Sequence, residues 1–285
     1  MARYTFIDLF AGIGGFHLAM HSLGVDCVFA SEIDKYARKT YEDNFRLVSP
    51  DIFDNGMFAG DITRVDATDI PDHDILCAGF PCQPFSQAGL KAGFNETRGT
   101  LFFDIARIID AKKPRVFFLE NVAGIVGHNS GDTIQTIKGT IADLGYSFYG
   151  KVMRGTDFNL PQPRPRFYMV GFKDTTTKFE FPTPIPLTKT MDDIFGGNVS
   201  RKVGYTLRVG GRGSGVGDRR NWDTYIVNGE SRRLGIKEGL MMQGFPSDFR
   251  FSSSNTQSFK QIGNSVAVPV ITAIGEQIIK SLDSQ

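Results

Sequence analysis

Cys82 stands between Pro81 and Pro84, just past the apolar run DILCAGF at 74–80. Proline at both flanks restricts the backbone and holds a thiol in one orientation. A thiol becomes a strong nucleophile once deprotonated, which neighbouring positive charge assists. Glu120 ends a second apolar run, RVFFLE at 115–120, where a carboxylate is costly to desolvate unless it pairs or functions. Arg164 and Arg166 alternate in QPRPR at 162–166, so their side chains point to one side. Guanidinium groups there would stabilise a thiolate and orient a planar heterocycle. No histidine offers itself as the base of a cysteine hydrolase: His17 and His21 share one helix face, and His73 and His128 are isolated. A thiol acting with a carboxylic acid and arginine fits conjugate addition to an electron-poor ring.

A second group of residues suits a cofactor. DLFAGIGGF at 8–16 places Gly12, Gly14 and Gly15 between a strand and a helix, where backbone can approach a ligand closely. The order is not Gly-x-Gly-x-x-Gly, and no phosphate-binding lysine follows. Glu32 ends the next apolar run, a station from which a carboxylate accepts from both ribose hydroxyls. Asp61, in AGDIT at 59–63, could accept from an adenine amino group. These residues point to an adenosine-containing cofactor, with a nicotinamide dinucleotide still open.

The elements that must position these groups alternate. Apolar strands are expected at YTFIDLFA, DCVFASEID, DILCAGF and RVFFLENV, with helices over 16–23, 36–45, 101–112 and 133–144. YSFYGKVM and RFYMVGF follow closely, as an antiparallel edge. The fold class is therefore α/β, a doubly wound, mostly parallel sheet whose ligands sit beyond the carboxyl ends of the strands. Near Thr175 the periodicity stops. Residues 181–255 form a small, irregular, β-rich lobe with strands expected at YTLRV and DTYIV. Residues 1–180 form the main domain, completed by 256–285, where apolar positions from Val266 to Leu282 suit a helix that tolerates Pro269 in its first turn.

The 285 residues carry a net charge of only +1, yet Arg201–Arg233 holds eight Arg/Lys against Asp218, Asp223 and Glu230, a net of +5. That local basic face suits a polyanion. The chain has three cysteines. Cys27 and Cys77 fall inside strands as packed thiols, and nothing in the spacing suggests a metal site or a disulfide framework. The N-terminus lacks the pattern of a secretory signal and no apolar run nears twenty residues, so a cytoplasmic protein without a membrane span is expected.

Together these motifs resemble the DNA cytosine-C5 methyltransferases of bacterial restriction–modification systems, over nearly all of 4–173 and 231–282. DLFAGIGGF resembles the family's cofactor loop, GFPCQPFS at 79–86 its catalytic loop, ENV at 120–122 its acidic segment and QPRPR its arginine pair. QGFP at 243–246 and QIGNSVAVPV at 261–270 resemble its last two blocks. The block RRLGIKEGLMMQGFP departs from the family near Gly235 and Lys237, where a threonine and an arginine are more usual. The variable region is also short, about fifty residues between Pro182 and Arg232.

The resemblance implies S-adenosyl-L-methionine as cofactor, with S-adenosyl-L-homocysteine as product and no metal. It assigns Glu32 to the ribose, Asp61 and Ile62 to the adenine end, and Phe16 to the adenine face. Phe10, Ile33, Pro81, Leu101, Asn264 and Val266 complete the implied pocket. Cys82 would add to cytosine C6 while Glu120, protonated, bonds N3, with Arg164 on O2 and Arg166 beside it. The cytosine must be flipped out of duplex DNA. Gln83, Ser86, Lys91 and Arg98 would meet the DNA from the catalytic loop, and Arg208, Arg212, Arg219 and Arg220 from the small lobe. An RNA cytosine-C5 methyltransferase, a non-catalytic DNA-binding protein on this scaffold, and a dinucleotide oxidoreductase are the rival readings. A monomer is expected, with a companion restriction endonuclease acting on the same site as the partner this type implies.

Overall fold

The computed structural model describes residues 3–81 and 101–285. Among these, a seven-stranded sheet runs in the order β3–β2–β1–β4–β5–β7–β6. Its strands are β1 (Thr5–Leu9), β2 (Asp26–Ser31), β3 (Phe58–Ala59), β4 (Ile75–Gly79), β5 (Val116–Val122), β6 (Tyr149–Met153) and β7 (Arg166–Phe172). β1 to β5 pair in parallel, while β7 is antiparallel to both β5 and β6. The central strands read as unbroken apolar runs because helices cover both faces.

Helices α1 (Gly15–Ser22), α2 (Lys35–Phe45) and α9 (Val268–Asp283) lie on one face, and α4 (Leu101–Lys112) and α5 (Asp132–Asp143) on the other. Local signals set their ends. Gly24, at φ +76°, stops α1 by returning its N–H to His21 O at 3.0 Å. The Asp34 carboxylate caps α2 by accepting from Tyr36 N and Ala37 N at 2.9 and 3.1 Å. Pro269 falls in the first turn of α9, whose face at Val270, Ile271, Ile274 and Ile278 is fully buried. Truncating Ile274 to Ala would cost about 2–5 kcal/mol.

The second lobe differs from expectation. Its regular β-structure among the described residues is one hairpin, β8 (Thr224–Val227) with β9 (Glu230–Arg233). YTLRV at 205–209 is irregular: the Leu207 backbone bonds to the Gln162 and Arg164 side chains, and Tyr205 N donates to Tyr225 Oη, rather than to a strand partner. Short helices α3 (Pro50–Asp54) and α6 (Met191–Phe195) were not anticipated, nor were α7 (Ile236–Gln243) and α8 (Asn255–Asn264).

The chain runs outward from β1 to β2 and β3, then returns to place β4 on the other side of β1. That reversal opens a crevice beyond the carboxyl ends of β1 and β4, the position where open α/β sheets hold ligands.

Candidate active site

A cavity of about 540 Å³ occupies this crevice, within the range of small-molecule and cofactor sites. Its first wall follows β1. Phe10 and Gly12, with φ of +55° and +56°, turn the chain away from the sheet. Gly12 N donates to Glu32 Oε2 at 2.8 Å, and Asp34 N donates to Oε1 at 2.7 Å. Each carboxylate oxygen is thereby oriented by one backbone N–H and keeps acceptor capacity for a vicinal diol. Burial raises the Glu32 pKa, and those two N–H groups counter the rise. Ile33, 71% exposed, adds an apolar surface beside it. Phe80, Pro81 and Leu101 form the facing wall, and Asn264 stands exposed at the lip.

Other expected cofactor residues sit one layer back. A Cβ on Gly14 would stand 2.2 Å from Phe45 Cε2, and one on Gly15 would stand 2.5 Å from Val266 Cγ2. These glycines let α2 and the segment before α9 close on the turn, and buried Val266 is their packing partner. Phe16 is a correction: 3% exposed, it packs edge-on against Phe118 and lies beneath Gly79 instead of facing the cavity. Asp61 also stands outside the cavity lining. Its carboxylate caps the turn at 62–64 through Thr63 N and meets Arg64 at 3.4 Å. Ile62 is core.

The far end of the cavity carries the acid. Glu120, on β5, is 8% exposed and its Oε1 lies 3.0 Å from Arg166 Nε. Burial raises its pKa, and Arg166 then Arg164 pull it back. A raised carboxyl keeps its proton to higher pH and can donate to a ring nitrogen. Asn121, which the sequence reading passed over, donates from Nδ2 to Phe80 O at 2.9 Å. It ties the exit of β4 to β5, one residue before Pro81 lines the cavity.

Arg164 lines the same cavity as Glu120 and Arg166, but its terminal nitrogens are turned to backbone. It is 1% exposed, with φ +33°. Its Nη1 donates to Leu207 O at 3.3 Å, and its Nη2 to Gly263 O and Ser265 O at 2.9 and 2.5 Å. Both terminal nitrogens are committed to backbone carbonyls. Burial lowers its pKa to about 9, which leaves it cationic at neutral pH.

Cys82, Gln83, Ser86, Lys91 and Arg98 lie outside the described residues. In the second lobe, Arg208 and Arg219 are exposed, and Arg220 is exposed but paired with Asp218 at 2.8 Å. Arg212 is also exposed, with 32% of its side chain accessible, but its guanidinium is anchored within the lobe. Its Nε meets the fully buried Asp223 at 3.1 Å, Nη2 donates to Leu234 O at 2.9 Å, and the guanidinium covers the Phe259 ring. Trp222 Nε1 donates to Gly210 O at 2.8 Å and Thr224 Oγ1 donates to Ser214 O at 2.9 Å. The glycine-rich segment is therefore fastened from below, with Arg219 left on its outer side.

The cavity suits S-adenosyl-L-methionine. Glu32 retains lone pairs for a ribose, Ile33 and the Phe80–Pro81 wall suit a flat apolar ring, and the Glu120–Arg166 end suits a polar base beside the sulfonium. No group of three or more His, Cys, Asp or Glu among the described residues could hold a metal.

The family described as C-5 cytosine-specific DNA methylase matches residues 4–209 and 205–280. Type II methyltransferase M.SsoII of Shigella sonnei is 44% identical, over 99% of this chain and 82% of that protein. M.NlaX of Neisseria lactamica is 42% identical over 99% and 98%, and M.HhaI of Haemophilus parahaemolyticus 39% identical over 98% and 95%. The crystal structure of a Spodoptera frugiperda DNMT2 mutant superposes with a TM-score of 0.72 at 19% identity, over 98% of this chain and 99% of that one. The last match concerns the fold alone. The chain belongs to the C-5 cytosine-specific DNA methylases, enzymes that use S-adenosyl-L-methionine to methylate C5 of cytosine in DNA.

Proposed function

We propose that the protein methylates one cytosine, flipped out of a specific short duplex sequence, through a covalent bond between Cys82 and C6. The observation that carries this reading is the register of Gly79 opposite Glu120 on adjacent parallel strands. It brings the chain that leads to Cys82 and the buried acid out side by side at one cavity.

The Cys82 thiolate adds to C6, and the electron pair of the C5–C6 bond moves into the ring. Glu120 gives its proton to N3 and takes up the developing charge. Arg166 holds the Glu120 carboxyl in place and keeps its resulting carboxylate paired. When bound, the cofactor supplies an electrophilic methyl group to C5. The C5 proton then passes to a water molecule, the C5–H electron pair re-forms the C5–C6 double bond as the Cys82 thiolate leaves C6, and N3 returns its proton to Glu120. Glu32 and Ile33 set the position from which the methyl is presented, and Asn121 fixes the exit of β4.

Residues 181–255 act as the DNA-reading lobe and 1–180 with 256–285 as the catalytic domain. Arg208, Arg219 and Arg220 approach the DNA there. The relatives' type II designation supports a role in restriction–modification with a companion endonuclease. A cytoplasmic monomer fits: the substrate is chromosomal DNA, Cys27 and Cys77 are free thiols, and an asymmetric two-lobed clamp needs no second subunit. The α8–α9 stretch, 255–283, is apolar enough by composition to cross a membrane, yet 61% of its most apolar window is buried within the fold.

The test is to incubate purified protein and S-adenosyl-L-methionine with a duplex DNA library and with an equal mass of folded RNA, then map the 5-methylcytosines. Methylation confined to one short DNA sequence is expected. Preferential methylation of RNA, or none, would overturn the reading.

A further inference from the structure

Gln162, Arg164 and Gln243 are buried polar side chains that meet where the two lobes join, with exposures of 0%, 1% and 0%. Gln162 Nε2 donates to Met242 O at 2.5 Å and to Gln243 Oε1 at 2.9 Å, and its Oε1 accepts from Leu207 N at 3.3 Å. Gln243 Nε2 donates to Ile262 O at 2.9 Å and Ser265 O at 3.2 Å. Arg164 completes the cluster through Leu207 O, Gly263 O and Ser265 O, while its backbone N donates to Thr206 Oγ1 at 3.1 Å. Backbone groups satisfy most of the donors of this desolvated cation and two amides, while the buried Arg164 Nε has no partner among the described residues.

The carbonyls held by Arg164 are informative. Gly263 and Ser265 flank Asn264, which stands at the cavity lip. Leu207 precedes Arg208, an exposed arginine at the start of the glycine-rich segment. The two backbones also touch: a Cβ on Gly263 would stand 2.7 Å from Arg208 C and O. Two residues along the chain from Arg164, Arg166 pairs with Glu120. One buried cluster thus fixes a residue of the cofactor lip, the root of the DNA-facing segment and the base of the acid–arginine pair.

We propose that Arg164, which shares Leu207 with Gln162 and Ser265 O with Gln243, is a positioning residue that serves cofactor binding and DNA-sequence discrimination together, without touching the base. This rests on the methyltransferase reading above and assigns the cluster a purpose within it. Small displacements at a rigid packed junction are felt at both sites because neither segment can shift alone.

Two variants test it. Arg164→Lys removes the forked donor, and Gly263→Ala forces apart the backbones of residues 208 and 263 without altering any polar group. Calorimetry with S-adenosyl-L-homocysteine, in the absence of DNA, should show affinity reduced roughly five- to tenfold in each variant. The ratio of methylation at the preferred site to that at single-substituted sites should fall by a similar factor. Thermal melting of each variant sets the folded fraction. If Arg164→Lys does not fold, Gly263→Ala alone decides. Unchanged affinity and unchanged discrimination in folded protein, with only a lowered melting temperature, would overturn the proposal and leave the cluster as a structural strut. Wild-type protein is tested in parallel for a covalent adduct with 5-fluorocytosine duplex. Its absence would count against the methyltransferase reading, whereas its presence with unmoved variants would count against the positioning role alone.

Discussion

Gly79 and Glu120 are register partners on β4 and β5, and a Cβ on Gly79 would stand 3.9 Å from Glu120 Oε2 and 3.6 Å from Phe16 Cε2. The strand that leads to Cys82 therefore runs directly beside the acid, over a floor of aromatic packing. The Asn121–Phe80 bond fastens the next residue of that exit. Chemistry at this cavity depends on that shared edge.

Glu120→Gln should lower methyl transfer by about 10²–10⁴-fold, with affinity for S-adenosyl-L-homocysteine little changed. In the wild type, the rate falls as pH rises through the raised pKa of Glu120, because the proton meant for N3 is then absent. The variant should lose that alkaline limb. Single-turnover rates across pH check both points; a variant with near-normal rate would contradict them.

Glu32→Ala removes the ribose acceptor and the two backbone anchors it holds. Affinity for S-adenosyl-L-homocysteine should fall about 10–100-fold, the equivalent of one or two charge-assisted hydrogen bonds. Calorimetry without DNA measures this directly. Unchanged affinity would place the ribose elsewhere.

Arg219→Ala should weaken duplex binding and lower the slope of log affinity against log salt by about one. Arg212→Ala should leave that slope nearly unchanged but lower stability by about 3 kcal/mol, because it strips a partner from the buried Asp223 carboxylate. Binding titrations at several salt concentrations, with thermal melts, separate the two arginines. An unchanged slope in Arg219→Ala would remove that residue from the interface.

Acid should act through His17. Its ring, 0% exposed, bonds Tyr41 Oη at 2.6 Å and Ser49 Oγ at 3.0 Å. Burial, aided by the charge of His21, lowers its pKa from 6.5 to about 3. The stability it contributes as a neutral ring is complete above pH 6.5 and is lost as pH falls toward 3, up to roughly 5 kcal/mol. Melting of His17→Gln and wild type across this window should show the wild type losing more stability on acidification. Parallel curves would refute it.

Much of this was legible from the chain. Apolar runs ending at Leu9, Ser31, Gly79 and Val122 gave the parallel strands, and Pro269 was placed in the first turn of the last helix by a mechanism that needs no tertiary context. The Glu32 station and the Glu120–Arg166 end of the cavity followed from those strand ends. The bonding partners of Arg164 and Arg212 were not legible for one reason: an arginine in a polar-looking segment reads the same whether it faces solvent or buried carbonyls. Their partners, Leu207, Gly263 and Ser265 for one and Asp223 for the other, are set by tertiary packing. Phe16 was misread similarly, since an aromatic beside a cofactor turn can face the ligand or the sheet. The 205–209 segment has strand composition but bonds to QPRPR, a pairing that local propensity does not encode.

Methyl transfer depends most directly on the reactivity of Cys82. Incubation of the protein with S-adenosyl-L-methionine and duplex DNA carrying 5-fluorocytosine at the methylated position should give a denaturation-resistant complex. In it the fluorine blocks loss from C5 and leaves the Cys82–C6 bond in place. Peptide mapping should find the base on Cys82, and Cys82→Ser should give no complex while still binding duplex. No adduct, or one on Cys27 or Cys77, would contradict it.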